Sequence, residues 1–149
     1  MAMFDASSGD LVTFLKGKVG ITALVGSTTS ARIYPVYAKQ GAALPYLVFV
    51  QSGGDSYRHL SGGSGIRRTA LQFYAYAATQ AGADALAEQV RLVMANHRGA
   101  MGDSTVNDCQ QVATAITGFD EAEDASDSRR YWTMVVFDLV HNETAVANG

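Results

Sequence analysis

The chain contains little cysteine or proline and has no excess of basic charge. Its 149 residues include one cysteine and two prolines. A single thiol, Cys109, excludes an intramolecular disulfide and any metal cluster or CxxC redox pair built from thiols. The formal net charge of -3 provides no positive field for duplex nucleic acid. The composition therefore argues against a disulfide scaffold, a thiol-ligated metal protein and a tight DNA binder.

Long apolar runs are also missing. No stretch approaches the roughly 20 apolar residues of a membrane-spanning helix, and "MAMFDASSGD" lacks the basic start and apolar run of a signal peptide. We therefore expect an intracellular, soluble product with no membrane partner. With 48% hydrophobic residues, the chain can bury one core, so we expect a single domain over residues 1–149, with flexible termini at 1–7 and 143–149.

Sequence motifs for catalysis or metal binding are incomplete. His59, His97 and His141 lack the HxH or HxxxH spacing that presents two imidazoles to one metal. The glycine-rich "SGGSGIRR" lacks the glycines of a nucleophile elbow or a dinucleotide fingerprint. Cys109 has no histidine near it in sequence, which favours a buried small side chain over a nucleophile. We expect no catalytic residue, no metal and no cofactor.

An acidic run is the remaining candidate for chemistry. Paired carboxylates can act as acid and base, but this run lacks apolar surroundings that would raise a carboxyl pKa, and it lacks EF-hand spacing. A solvated loop is the favoured interpretation, and such a loop can also dock on a basic partner or repel DNA. The rival interpretation is an α+β enzyme or ligand-binding domain that uses Cys109 or this run. The acidic residues are Asp120, Glu121, Glu123, Asp124 and Asp127.

Hydrophobic periodicity predicts two helices and four strands. The first helix starts near residue 8 and is followed by a short apolar turn at 21–25, and the clearest helix covers 80–97, with Gly99 as its left-handed cap. The strands are expected at 46–50, 66–77, 112–116 and 131–141, and the connections at 52–65, 99–108 and 118–130. The predicted fold is α+β, with a mainly antiparallel four-stranded sheet of two hairpins and two helices packed on one face.

Two of these strands have faces of different character. For 66–77, alternation assigns Leu71, Phe73 and Ala75 to a core side and Arg68, Gln72, Tyr74 and Tyr76 to a wetter outer side, which is a candidate contact face. For 131–141, alternation places two sets on opposite sides without saying which set is buried. One set is Tyr131, Val135, Phe137 and Leu139, and the other is Trp132, Met134, Val136 and Val140.

Residues 32–50, "RIYPVYAKQGAALPYLVFV", contain both prolines. Pro35 restricts the residue before it to extended conformations, and Pro45 can open a strand because its missing N–H falls at the start of the ladder. The segment is therefore predicted to be architectural. We expect Ile33, Leu47 and Phe49 to be buried, and Tyr37, Lys39 and Gln40 to stand on a loop that can meet a neighbouring subunit.

The layout resembles the tail-completion or tail-terminator family of long-tailed bacteriophages, which is also found in gene-transfer particles. The resemblance covers about residues 8–142 and is most specific in "RIYP" followed by "QGAALPYLVF". The segments "ALVG", "LSG", "LQFYAYA", "ALAEQVR" and "YWTMVVFDLV" add to it. Departures from the family pattern are the extended "GGDSYRHLSGGSG" segment and the acidic run over 120–127.

The resemblance implies a structural virion protein without catalytic residues. Such a subunit forms a ring, commonly a hexamer, at the head-proximal end of the tail tube, after assembly in the host cytoplasm. It stops tube polymerisation, joins the tube to neck proteins of the head, and lets DNA pass through its lumen without specific binding. Another head-tail connector or neck subunit is the alternative that sequence separates poorly from a terminator.

A ring of identical subunits requires a heterologous interface whose rotation closes, and strand addition between subunits would satisfy open sheet edges. We expect the aromatic and basic residues of the outer face, the 52–65 segment and the proline-flanked loop to make the contacts. The expected interface residues are Tyr37, Lys39, Gln40, Tyr57, Arg58, His59, Arg67, Arg68, Tyr74, Tyr76 and Trp132.

The proline-flanked loop provides a first test. Lys39→Glu and Tyr37→Ala are expected to leave monomer folding unchanged but to hinder ring assembly, because both side chains are predicted to stand away from the core. Size-exclusion chromatography with light scattering measures assembly, and thermal unfolding of the monomer is the control. Unchanged assembly would make this loop a mere connector.

Overall fold

The structure, a computed structural model, describes residues 10–26, 31–35, 42–59, 62–101, 104–112, 116–120 and 129–142. Within these ranges the chain forms three helices and seven strands. The helices are α1 (Asp10–Lys16), α2 (Val19–Val25) and α3 (Gln80–Met94). The strands are β1 (Ile33–Pro35), β2 (Tyr46–His59), β3 (Gly62–Ala77), β4 (Gly99–Met101), β5 (Ser104–Gln111), β6 (Ile116–Asp120) and β7 (Arg130–Asn142).

All seven strands belong to one mixed sheet. Six follow the order β1-β2-β3-β7-β5-β4, and β6 also pairs with β7. β5 and β6 lie one after the other along the same side of β7, opposite residues 137–141 and 130–134 respectively. The β1–β2 pair is parallel and the other pairs are antiparallel. The expected α+β class and mainly antiparallel sheet are confirmed, and the two hairpins join through β3 and β7.

The prediction of four strands is wrong in number. The 52–65 segment, expected to be a hairpin connection, lies largely in the ladder, because β2 continues to His59 and β3 begins at Gly62. Register shifts between Ser52 and Gly54 and between Ser56 and Arg58 interrupt the pairing. Backbone hydrogen bonds can continue without apolar side chains, and bulges accommodate the extra residues.

The predicted third strand is also misplaced. Of residues 112–116, Val112 follows the end of β5, 113–115 lie outside the described residues, and Ile116 begins β6, whereas the expected loop at 99–108 holds β4 and part of β5. β5 is largely polar and lies toward the edge of the sheet, and of its described side chains Val106 and Cys109 are buried. The start of the expected 118–130 loop belongs to β6, which pairs antiparallel with β7.

The helices differ from the prediction at their ends. α3 ends at Met94 rather than residue 97, and the left-handed conformations occur at Asn96 (φ 63) and at Gly99 (φ 112), which belongs to β4 rather than to the helix cap. At the other end, the Thr79 side chain accepts a hydrogen bond of 3.0 Å from the backbone N–H of Gly82, which is an ordinary N-cap. The predicted apolar turn at 21–25 is helix α2, so there are three helices and not two.

The three helices cover one face of the sheet, as expected. Their apolar side chains join one cluster with alternate residues of β2, β3 and β7. Phe73 lies at the centre of this cluster, with its ring centroid 5.8 Å from that of Phe137 and 6.3 Å from that of Phe49. The predicted burial of Ile33, Leu47 and Phe49 is confirmed.

Polar side chains fix α3 over β7. The buried Thr133 hydroxyl donates to the Asp84 carboxylate at 2.6 Å, and the Gln80 amide donates to the same carboxylate and to Thr133, each at 3.0 Å. Because Thr133 lies on the core side of β7, these bonds tie the first turn of the helix to one position on the sheet. Buried hydroxyls need such partners.

Arg32, within "RIYP", joins α2 to the start of β2. Its guanidinium donates to the Pro45 carbonyl at 2.8 Å and to the Leu24 carbonyl, near the end of α2, at 3.2 Å. Its backbone N–H donates to Val25, and its carbonyl accepts from Leu47. Arg32 therefore provides hydrogen-bond donors for carbonyls at the end of α2 and for the carbonyl just before β2, and it aligns β1 beside β2.

Replacing this guanidinium is expected to destabilise the fold. Arg32→Met keeps the aliphatic stem but leaves two part-buried carbonyls without their donor, so the free energy of unfolding should fall by about 1–3 kcal/mol. Urea denaturation measures this change. Arg98→Met is the matched control, since Arg98 is 75% exposed and its contact with Asp108 is 3.8 Å long, and its effect should stay within about 0.5 kcal/mol.

Candidate assembly surfaces

The second face of the sheet alternates with the core face and is called the open face here. The cluster that contains the helix side chains includes Leu47 and Phe49 of β2 but neither Tyr46 nor Val48. Within the described residues, no helix packs against this second set of side chains. Strand register places the following residues on the open face: Tyr46, Val48, Val50, Arg68, Gln72, Tyr74, Tyr76, Ile116, Gly118, Trp132, Met134, Val136, Asp138 and Val140.

An aromatic cluster occupies one end of the open face. Tyr76 lies between Tyr46 and Trp132 in the strand register, and its ring stacks on Tyr46 with centroids 4.9 Å apart. Tyr74 meets Trp132 edge-on at 5.9 Å. The indole lies directly on Gly118, where a β-carbon would come within 2.5 Å of the ring. Only glycine leaves room for Trp132 in this position.

Polar groups surround this cluster. Arg130 donates to the Tyr46 hydroxyl at 3.3 Å and lies opposite Asp120 in the β6–β7 register. Burial, with the Asp120 charge as the second cause, raises the pKa of Tyr76 to about 12. The Tyr76 hydroxyl therefore keeps its proton even at alkaline pH, and it offers a hydrogen-bond donor beside an apolar surface.

The other end of the open face carries an ion pair. Arg68 donates to Asp138 at 2.9 Å, and both side chains remain partly exposed. Between this pair and the aromatic cluster lie Met134 and Val136, which are half-buried. An apolar centre that is rich in aromatic side chains and bordered by polar groups is typical of the core of a protein–protein interface.

The structure brings together four of the residues expected from sequence to make contacts: Arg68, Tyr74, Tyr76 and Trp132. On the same face it places Met134 and Arg130, which were not expected as contacts, and Tyr46, which is buried there beneath its neighbours. Alternation already placed Met134 on the same side of its strand as Trp132, whereas Tyr46 and Arg130 join the cluster only through strand register.

The side chains of the other expected contact residues lie outside the described part of the structure, so their positions relative to these four are not described. The side chains of Tyr57, Arg58, His59 and Arg67 are outside the described part of the structure, although their backbones lie in β2 and β3. Tyr37, Lys39 and Gln40 lie outside the described residues. Asp120, the first residue of the acidic run, belongs to β6. The other acidic residues of the run lie outside the described residues: Glu121, Glu123, Asp124 and Asp127.

Cys109 is a buried side chain, as predicted, and is not placed for nucleophilic chemistry. Burial, followed by the charges of Asp108 and Asp138, raises the pKa of its thiol to about 12. The thiolate that a nucleophile requires is therefore disfavoured. The buried His141 instead shares a 2.8 Å hydrogen bond with the Thr69 hydroxyl.

Metal sites and membrane-spanning helices are absent from the described ranges. No three side chains of His, Cys, Asp or Glu come together there in a way that could hold a metal ion. Among the same residues, no helix has the length and apolar character needed to cross a membrane.

The Cys109 thiol gives a pH test. The unfolded thiol ionises near its ordinary pKa of 9.0, whereas the folded thiol keeps its proton up to about pH 12. The stability contributed by this difference is present below pH 9 and is lost as the pH rises toward 12. From pH 9 to 10, the free energy of unfolding should fall by about 1 kcal/mol more in wild type than in Cys109→Ala.

Urea denaturation at several pH values measures this slope, and alkylation provides a second readout. Iodoacetamide should modify Cys109 at pH 8 only as fast as the protein unfolds. Rapid alkylation of the folded protein would contradict the assignment and would revive Cys109 as a reactive group.

Comparisons with known proteins agree with the resemblance found in the sequence. Residues 9–141 match the family described as "Tail completion protein gp17". No individual curated protein sequence matches the chain. Among solved structures, a chain from "Virion of native gene transfer agent (GTA) particle" superimposes with a TM-score of 0.61 at 16% sequence identity, covering 89% of this chain and 92% of that chain. At this identity the likeness concerns the fold.

The family match extends over most of the sequence, and the chain belongs to the tail completion protein gp17 family, as a structural protein of the virion tail rather than an enzyme.

Proposed function

We propose that this chain is a tail terminator subunit that forms a ring, commonly a hexamer, at the head-proximal end of the tail tube. The ring stops tube polymerisation and offers its other surface to the neck proteins of the head. Family membership supports a role in completing the tail, and the similar fold of a chain from a gene transfer agent virion is consistent with this setting.

The main structural support for this proposal is the open face, which offers a surface for contact with another subunit. Tyr74, Tyr76 and Trp132 form an aromatic surface that no described helix covers, and Met134 and Val136 extend it. These side chains are partly exposed, and aromatic and apolar groups that lie together on one face of a sheet offer a contact surface to a partner. The neighbouring ion pair and the protonated Tyr76 hydroxyl add polar groups that can orient a partner.

A ring follows if the open face of one copy meets a different surface of the next copy. Such a heterologous contact closes when the rotation per step divides a full turn. The two sides of the resulting ring are chemically different, so one side can match the last ring of the tube while the other presents no site for a further tube subunit. This difference would explain how assembly of the tube stops.

DNA passing through the lumen would not be bound specifically. The net charge of -3 per chain gives a ring no general attraction for phosphate. The acidic run from Asp120 to Asp127 fits either of two positions, facing the lumen or docking on a basic neck protein.

Charge placed on the open face is expected to prevent assembly. Met134→Glu adds a carboxylate beside Tyr74 on a side chain directed away from the core, so the monomer should fold normally while the apolar contact is lost. Light scattering and negative-stain microscopy measure rings, and the length distribution of tubes grown with tail tube protein measures capping. Wild type should shorten the tubes, and the variant should not.

Val19→Glu is the matched control, because Val19 is an apolar residue of α2 with 80% exposure. It should assemble and cap as wild type does. A wild-type protein that forms rings on purified neck components but never caps tubes would identify a neck subunit instead of a terminator.

A further inference from the structure

The exposed large apolar residues of the described chain are concentrated at one edge of the sheet. Val19 and Leu92 lie singly on α2 and α3, whereas Val112, Ile116 and Phe119 occur within eight positions, each 50% exposed. Single exposed apolar side chains are normal. Ile116 and Phe119 lie on β6, and Val112 follows β5 and donates its backbone N–H to Val136 of β7. The three therefore lie along the same side of β7 and expose apolar groups at or near the β6 edge.

β6 provides the backbone part of this surface. One side of β6 pairs with β7, and no described strand pairs with its other side. Natural edge strands are usually protected by shortness, proline, lysine or polar side chains. β1 and β4 have three residues each, β1 ends at Pro35, and the edge of β5 is polar at Gln110 and Gln111. The five residues of β6 include the polar Thr117 and Asp120 but no lysine or proline, so within the described part of the chain its outer edge is available for pairing.

The side chains of β6 could flank an added strand on both faces. Ile116 lies in register with Met134 on the open face, and Phe119 lies in register with Tyr131 on the helix side. The Arg129 guanidinium lies over the Phe119 ring at 4.6 Å, yet half of Phe119 remains exposed. An incoming strand would therefore meet backbone groups and one apolar side chain on each face.

A suitable partner edge exists on the same chain. β2 contains 14 residues, and β1 pairs only with Leu47, Val48 and Phe49. Residues 50–59 have no strand on that side within the described part of the chain. In the sheet order this free edge and β6 lie on opposite sides, which is the arrangement that a head-to-tail contact requires.

We propose that β6 of one copy pairs with the free part of β2 in the next copy, so that hydrogen-bonded strands continue from subunit to subunit. β6 runs antiparallel to β2 within one chain, because both are related through β3 and β7. Cyclic symmetry keeps the orientation of every copy about the ring axis, so the pairing in a continuous sheet is antiparallel. The proposal rests on the ring proposed above and adds a strand-pairing contact at the sheet edges to the contact that the open face makes.

Paired cysteines test the contact. Thr117 lies on the helix side of β6, and Gln51 lies on the same side of β2, in line with Leu47 and Phe49. The double variant Thr117→Cys with Gln51→Cys, treated with a short bismaleimide, should give a ladder of covalent oligomers that ends at the ring size. Each single variant should give none, and buried Cys109 should not react.

A single Thr117→Cys variant that forms covalent dimers would overturn the proposal, because it would show β6 paired with β6 of another copy. A double variant that forms no ladder while its rings persist would overturn it too.

Charge at the β6 edge gives an independent test. Phe119→Lys should raise the protein concentration needed for half-assembly at least tenfold without lowering the monomer melting temperature, because lysine opposes strand addition and half of Phe119 is exposed. Leu92→Lys is the matched control on α3, where the apolar residue is 58% exposed, and should assemble as wild type.

The outcomes separate this inference from the proposed function. If wild type and Phe119→Lys form rings equally well, the β6 contact is wrong and the terminator ring stands. If Phe119→Lys forms rings but fails to cap tubes, β6 meets the tube protein and the inference is overturned. If Leu92→Lys loses rings as fully as Phe119→Lys, the effect is not specific to β6. If wild type remains monomeric even with tube protein, both proposals fall.

Discussion

The antiparallel pairing of β3 with β7 is the constraint on which the rest of the structure depends. Twelve residue pairs follow without interruption from Ile66 and Asn142 to Ala77 and Tyr131. An unbroken register keeps alternate side chains of both strands on fixed faces along the whole pair, and a slip by one residue would exchange the faces. The hydrophobic core and the open face are therefore specified by the same register, and neither can change without the other.

The two faces use aromatic residues in different ways. On the core face, Phe73 and Phe137 have no polar groups to satisfy and are fully buried. On the open face, Tyr74 and Trp132 combine apolar area with a hydrogen-bonding group, which suits a surface exposed to water before a partner arrives. The bond between Asp84 and Thr133 holds α3 on the core side, so within the described residues the helix layer leaves the open face uncovered.

The parts of the fold that were predictable from sequence are those in which side-chain pattern and burial coincide. Alternation around Phe73 and Tyr74 assigned both faces of β3 correctly, because that strand has one covered and one uncovered face. β6 was missed because Gly118 resembles a turn residue, whereas in the structure it makes room for Trp132, 14 positions away. The contact between Tyr46 and Arg130 spans 84 positions and follows from register alone, which local periodicity does not encode.

The motif that carries most of the family resemblance has a structural explanation that is separate from the proposed contacts. Arg32 ties α2 to the start of β2, and Ile33 is buried in the core, so "RIYP" stabilises the monomer. The proposed contacts instead involve Trp132 and Phe119 on β7 and β6. A shared fold at 16% identity is consistent with this division, since packing constraints can persist while contact surfaces adapt to different partners. Resemblance in such a motif is therefore strong support for the fold, whereas partner specificity must be derived from the surface of each chain.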